Sequence, residues 1–545
     1  MTPSPTLLTV LAAVISHLIF NRLEPRGVPS FAALLVLPPS ILSILAPRDR
    51  SILMIFLMYF SAILASVVLY RISPFHPLAS YPGPVLCKIS KLWLAGISLG
   101  GKQHVYYRDL HRRYGDVVRV GPNELSFCDK SAVAPMLGTR GMPKGPWWDG
   151  RNPENKKVRS LLGLRDPEEH QRRRRIWHRA FSASALKEYD LVVRNRLSQL
   201  VEILVDNSGK SMDLTQWMGH FMYDVMNDIV FGGGVELMRD GDKHGLYALF
   251  ENFLPMALLM SHVPWLGELT LWIPGFAKDV KKFRAHAINC AIERKLHGSP
   301  RKDLFYHLID EAGIEAEPPS LPQVVCDAAP AITAGAETTS TALCNLIWLL
   351  LSNPITYSRL QVEIDSLGPA VLNSEAQKRS VYLNACIDET LRLFPAVLSG
   401  SQRAPLIGSG GHRIGTNFIP EGTSAVVHSY TLQRDPRYFS SPDSFIPERW
   451  LSIDEQRTLK PAMFKGDDQI MIHDTAAFIP FSFGPANCIG KALAYQEMRL
   501  VICTLMTKFN LAFEVGFDAR TWEVNLRDYY ILSKGKLPVV FSPRA

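Results

Sequence analysis

The sequence predicts a mainly α-helical domain with small β-sheets, preceded by an apolar N-terminal segment. Three observations predict it. Apolar residues recur at helical spacing along several long stretches after Lys88. Strand-like runs are few, short and scattered. Ser51 to Tyr70 is a run without a single charge, and as a helix of roughly 30 Å it matches the hydrocarbon core of a bilayer.

Composition agrees with a folded chain. Of the 545 residues, 47% are apolar and 20% charged, the balance of a core-forming protein. The net charge of +8 suits an acidic partner or an anionic membrane surface. Nucleic acid is not expected as a partner, because the basic residues are dispersed and no reader motif is present. The eight cysteines (Cys87, Cys128, Cys290, Cys326, Cys344, Cys386, Cys488, Cys503) lie far apart, with no pair at zinc-site spacing. They read as free thiols in a reducing compartment.

The N-terminal residues 1–72 read as a membrane anchor with one to three apolar segments. Ser51 to Tyr70 is the best span, bounded by Arg48, Asp49, Arg50 and Arg71. Thr6 to Phe20 is short and carries His17, and Phe31 to Ala46 is interrupted by Pro38 and Pro39. A cleaved signal peptide fits poorly, since positive charge is missing at the start. Residues 73–84, with Pro74, Pro77, Pro82 and Pro84, read as a stiff non-helical connector. No composition break divides residues 85–545, which read as one domain.

Within that domain, Val117 to Val120 and Glu124 to Phe127 flank Gly121-Pro122-Asn123 and read as paired strands. Leu186 to Val205, Leu214 to Phe231, Val325 to Ser352 and Val381 to Phe394 read as helices. Ser424 to Tyr430 reads as a strand, and Gly490 to Phe509 as a long helix.

The most informative segment is Phe481-Ser482-Phe483-Gly484-Pro485-Ala486-Asn487-Cys488-Ile489-Gly490. A cysteine just ahead of a helix faces the positive end of the helix dipole and free N–H groups, which favour thiolate. Gly484 permits a tight turn, and Gly490 clears space for a flat cofactor. By composition alone, a lone cysteine is a small buried hydrophobe; the order of residues around Cys488 argues otherwise.

This loop resembles that of the cytochrome P450 family, whose pattern is Phe-x-x-Gly-x-Arg-x-Cys-x-Gly. Phe481, Gly484, Cys488 and Gly490 fall on it, while Ala486 stands where the family has arginine. The resemblance implies the family fold, with haem b between a long distal helix and the helix after the cysteine loop, and Cys488 as iron ligand. The arginine's contact with a haem propionate must then be absent or replaced.

Further segments resemble the family's motifs in the expected order. Glu389-Thr390-Leu391-Arg392 puts opposite charges three apart on a helix face, a common surface pair in itself. The family's Glu-x-x-Arg motif implies instead a structural network of Glu389, Arg392 and Arg449. Ala334-Gly335-Ala336-Glu337-Thr338-Thr339 reads by itself as a polar patch on a half-exposed helix. The resemblance makes Thr338 and Glu337 catalytic, Thr338 steadying dioxygen and Glu337 feeding protons. Pro330, one turn earlier, should add a kink. His170 and Arg174 sit four apart and, with Arg403, resemble propionate ligands. The other arginines near them read as a solvated face that can dock an acidic redox partner.

The activity implied is that of a haem-thiolate monooxygenase of fungal microsomal type, inserting one atom of dioxygen into a lipophilic molecule. No Rossmann fingerprint or flavin domain is present, so electrons are expected from NADPH through a separate reductase. The expected location is the endoplasmic reticulum membrane, with the domain facing the cytosol. Pocket walls are expected from Trp147 and Trp148, Ala331 to Glu337, Ala396 to Gly400 and Tyr529 to Leu532, with a lid over Leu246 to Leu266. A fungal terpenoid or similar secondary metabolite is the expected substrate, ahead of a fatty acid or xenobiotic. The competing class is a haem-thiolate protein without oxygenase activity, an isomerase or a non-catalytic haem binder, against which Glu337 and Thr338 argue.

Overall fold

The computed structural model describes residues 4–23, 28–45, 51–151, 158–243, 245–270, 278–299, 301–459 and 471–544. Its first three helices, Pro5–Leu23, Val28–Leu45 and Ile52–Ile72, pack on one another. The first and third are long and apolar enough to cross a membrane. The second continues through Pro38 and Pro39, where the sequence suggested an interruption. Pro38 has no N–H to offer the Leu34 carbonyl. That carbonyl instead accepts a bond of 2.8 Å from the Tyr59 hydroxyl of the third helix. Residues 73–84 form turns, without helix or strand.

The rest is helical with small sheets, as expected. Strand Val117–Gly121 pairs antiparallel with Glu124–Phe127, which pairs parallel with Ser424–Val427. The third strand is shorter than the predicted Ser424 to Tyr430. The chain turns at His428, whose Nδ1 lies 2.6 Å from Thr431 Oγ1, into a short helix Ser429–Leu432. Ser211–Asp213, Pro538–Pro543 and Phe509–Phe513 form a second sheet, so the helix predicted to reach Phe509 ends at Lys508.

The longest helix, Leu321–Ser352, organises the core. It opens with the Ser320 N–H bonded to Gln323 Oε1 at 2.9 Å and with Pro322 in its first turn, where the missing donor costs nothing. Helix Leu321–Ser352 carries on beyond Pro330. From Ala342 to Leu350 every residue is buried, as an all-round apolar helix requires. Against it pack helices Leu214–Phe231, Val381–Leu393 and Lys491–Lys508. Gly335 lets the first of these come close, for a Cβ there would fall 2.4 Å from the Met226 sulfur. That glycine therefore serves helix packing as well as the space beside it.

Glu389, Arg392 and Arg449 are fully buried together. Arg392 Nε and Nη2 donate to the two Glu389 oxygens at 2.8 and 2.9 Å, and Arg449 Nε donates at 3.0 Å. The Trp450 indole and the Ile446 N–H complete the carboxylate's partners. Burial acts to raise the Glu389 carboxyl, but Arg392, Arg449 and the Ile446 N–H outweigh it, and its pKa is lowered.

Candidate active site

A cavity of about 870 Å³ lies between the cysteine loop and the long helix. Its volume and mostly apolar lining suit a bound organic molecule. Cys488 forms part of one wall, with Phe481, Ala486 and Gly490. Ala334, Gly335, Thr338 and Thr339 belong to the helix that borders it. Cys488 is surrounded by protein, and its exposed side opens on this cavity.

The cysteine loop is held by its own backbone. Cys488 N–H bonds to the Phe481 carbonyl at 2.9 Å, and Asn487 N–H to the Gly484 carbonyl at 3.1 Å. Gly484 adopts φ +74°, and a Cβ would fall 2.1 Å from the Leu137 carbonyl oxygen, so no other residue fits. Gly490 caps helix Lys491–Lys508, and a Cβ there would stand 4.0 Å from the cysteine sulfur. Burial pushes the Cys488 thiol up, while the Gly490 and Lys491 N–H groups, Arg174 and Lys491 pull it down. A bound metal cation tips that balance toward the thiolate.

Cations gather at the margin of the same cavity. His170 and Arg174, on helix Pro167–Ala180, line it together with Lys144. Arg403 stands close behind, in a bridge that pairs its backbone with Lys144 and Ala425. Lys144 Nζ donates to the Leu161 and Leu162 carbonyls at 2.9 and 2.7 Å. Arg174 Nη1 and Nη2 reach the Asn487 carbonyl and side chain at 2.7 and 2.6 Å, tying its helix to the cysteine loop. The buried Arg403 Nε has no hydrogen-bond partner among the described residues. Burial and the nearby Arg403 and Arg174 depress Lys144 to about 7. Burial, then Lys144, Arg174 and Arg403, push His170 down to about 3. Lys144 was not singled out by sequence; its role depends on a fold that brings it to Arg403.

Thr338 lines the cavity, its hydroxyl bonded back to the Ala334 carbonyl. Glu337 does not line it. The residue is buried behind the helix, with Oε2 at 3.3 Å from Lys534 Nζ. The Lys534 side chain is equally buried and also donates to Ser340 and Thr341. Of the other predicted walls, Trp148, Ala331, Thr333, Ala396, Val397, Gly400, Tyr530 and Ile531 take part, whereas Trp147, Ile332, Ala336, Leu398, Ser399, Tyr529 and Leu532 lie outside. Trp147 stacks edge-on against Trp148 instead. The predicted lid contributes Leu249, Phe253, Leu254 and Ala257 from helix Leu246–His262. Glu497, unremarked in the sequence, also lines the cavity and accepts from Thr339 Oγ1 at 3.1 Å.

Fold and cavity define a helical protein with an exposed cysteine, Cys488, at the wall of a large apolar chamber. Residues 80–520 match the family model described as Cytochrome P450. The chain is 32% identical over 550 residues to cytochrome P450 monooxygenase nodW of Hypoxylon pulicicidum, covering 99% of this chain and 98% of that protein. It is 31% identical over 548 residues to cytochrome P450 67 of Uromyces fabae, covering 98% and 99%. With cytochrome P450 monooxygenase FCK2 of Fusarium pseudograminearum it shares 33% identity over 490 residues, covering 88% and 85%. The crystal structure of cytochrome P450DA heme domain has the same fold at TM-score 0.68 and 20% identity, covering 82% of this chain and 94% of that one. The chain belongs to the cytochrome P450 family and is a monooxygenase.

Membership implies a haem, and the residues fit one. A thiol borders a chamber with clear space at Gly490. Beside it stand cations that repel one another, one of them with a buried Nε unpaired among the described residues. Such a cluster calls for an anionic group, and haem carries two carboxylates.

Proposed function

We propose that this monooxygenase places one atom of dioxygen in a lipophilic small molecule, hydroxylating a C–H bond or epoxidising a C=C bond. The second atom leaves as water, with two electrons from NADPH arriving through a separate flavoprotein reductase. The carrying observation is that Cys488 and Thr338 border one chamber with the cationic cluster at its margin. Haem b bound over Cys488 supplies an iron able to activate dioxygen, made electron-rich by the thiolate.

The residues take distinct parts in this reading. Cys488 ligates the metal, and Phe481, Gly484 and Gly490 shape the loop around it. His170, Arg174 and Arg403 hold the propionates, with Lys144 supplying the cation that Ala486 lacks. Glu389, Arg392 and Arg449 fix the surrounding fold and do no chemistry. Thr338 Oγ1 borders the chamber with its proton held by the Ala334 carbonyl, so it would have to turn from that carbonyl to donate into the chamber, and Glu337 would resupply the proton from behind the helix. The exposed Arg175 and Lys491 suit an acidic docking face on the reductase.

Residues 1–72 form the anchor, 73–84 the connector and 85–545 the catalytic domain. Two membrane-length helices support attachment to a membrane, which in this reading is that of the endoplasmic reticulum, with the domain in the cytosol. The large apolar chamber favours a terpenoid or comparable secondary metabolite. Turnover with reductase, NADPH and isotopically labelled dioxygen tests the reading, using compounds chosen by a spin-state shift. One labelled atom per product supports it. Products without label contradict it.

A further inference from the structure

The chamber holds a second cationic feature, separate from the cluster beside the cysteine loop. Arg151 ends the turn Pro146–Arg151 and lines the cavity near Trp148, Phe253 and Tyr530. Its guanidinium carbon lies 4.5 Å from the Trp147 ring centre, 4.6 Å from Tyr530 and 5.9 Å from Trp148. Nε donates to Ser261 Oγ of the lid helix at 3.1 Å. Nη2 is buried and has no hydrogen-bond partner among the described residues.

No carboxylate among the described residues answers this charge. Asp149, two residues earlier, is committed to Arg159 and Arg165. The neighbouring His262 is kept neutral by burial. Burial pulls Arg151 itself down to about 10, with only the Tyr530 phenol opposing. Trp148 stands close to both cationic features, with Lys144 Nζ 5.6 Å from its ring centre. Tyr530 also faces both features, for Arg151 and Arg403 each oppose the burial that raises its phenol.

A guanidinium fixed on aromatic faces, with a free donor in an apolar chamber, is costly unless something completes it. The planar fork matches a carboxylate. Tyr530 supports a built site: it holds φ +78° at the tip of the hairpin formed by Arg527–Tyr529 and Ile531–Ser533. A non-glycine residue in that conformation is strained, and such strain concentrates where a side chain must point into a site.

We propose that Arg151 anchors the carboxylate of the substrate, so that this enzyme oxidises an apolar organic acid at a carbon remote from its acid group. Arg151 thus determines specificity, and Trp147 and Tyr530 position it. The inference rests on the monooxygenase reading above.

The test uses the full chain with haem bound. Hexadecanoic acid and abietic acid are each titrated against their methyl esters, following the spin-state shift of the Soret band. In the wild type, at least one acid binds about tenfold or more tightly than its ester, the worth of one charge-assisted hydrogen bond. In Arg151→Gln that acid falls to the level of its ester, which itself is unchanged, while Arg151→Lys keeps part of the preference. The reduced carbon monoxide spectrum confirms haem in every sample. Equal binding of acid and ester for both frameworks in the wild type overturns the proposal and needs no variant. So does a preference that survives in Arg151→Gln, or a loss of haem there with Arg151→Lys intact, which would move Arg151 to the propionates. A wild type without a thiolate-ligated haem spectrum overturns the monooxygenase reading beneath it instead.

Discussion

Lys534 Nζ stands 3.3 Å from Glu337 Oε2, and both side chains are buried behind the long helix. The ammonium spends its three donors on Glu337, Ser340 and Thr341. An acid so placed faces the core, not the chamber its neighbour Thr338 borders. Any proton it supplies must pass around or through the helix. Tyr247 and Glu251 of the lid helix share this region: after burial, the Glu337 charge is the largest influence on each, and both are raised.

Lys534→Met leaves Glu337 buried without its cation and costs about 3–5 kcal/mol of stability. The double variant Glu337→Gln, Lys534→Met recovers most of that, because neither charge remains. Thermal midpoints of the two single variants and the double variant give the coupling directly. Simple additivity of the single losses would mean that the pair is not coupled.

In the reading proposed above, Lys144 fills the part left by Ala486. Lys144→Met is expected to weaken haem retention about tenfold through loss of one charge-assisted bond, with Lys144→Arg retaining most of it. The rate of haem transfer to excess apomyoglobin measures this. Transfer as slow from Lys144→Met as from the wild type would remove Lys144 from the haem margin.

Glu497 links the helix after the cysteine loop to the long helix through Thr339. Burial pushes its carboxyl up to about 8, with the Thr339 hydroxyl opposing. The native state therefore keeps this proton to about pH 8, whereas the unfolded chain releases it near the ordinary value of 4.5. Across that window the native state binds more protons, so stability falls as pH rises and levels off above about 8. Glu497→Gln should flatten this part of the curve and gain on the order of a few kcal/mol at about pH 8. Thermal midpoints followed over the window decide, and an unchanged slope in the variant would show that Glu497 is ionised in the fold.

Local chemistry was legible before the fold. The cysteine loop is contiguous, so Phe481, Gly484, Cys488 and Gly490 announce themselves by spacing. The network of Glu389, Arg392 and Arg449 was legible only through family resemblance, since a Glu–Arg pair on a helix face has many uses. Lys144, Arg151, Glu497 and Lys534 were not legible. Each owes its meaning to a partner far along the chain: Arg403, Tyr530, Thr339 and Glu337. The direction of Glu337 was missed for a related reason, because helical spacing does not say which neighbours occupy its side of the helix. Helix Val28–Leu45 survives its two prolines because a tyrosine from another helix takes the carbonyl that one of them frees, a rescue local rules do not contain.

The most direct test concerns sulfur and metal. The full chain, loaded with haem and reduced under carbon monoxide, should show the strongly red-shifted Soret band of a thiolate ligand, and Cys488→Ser should lose both that band and all product formation. Retention of the band and of oxygen insertion in Cys488→Ser would contradict the account at its root.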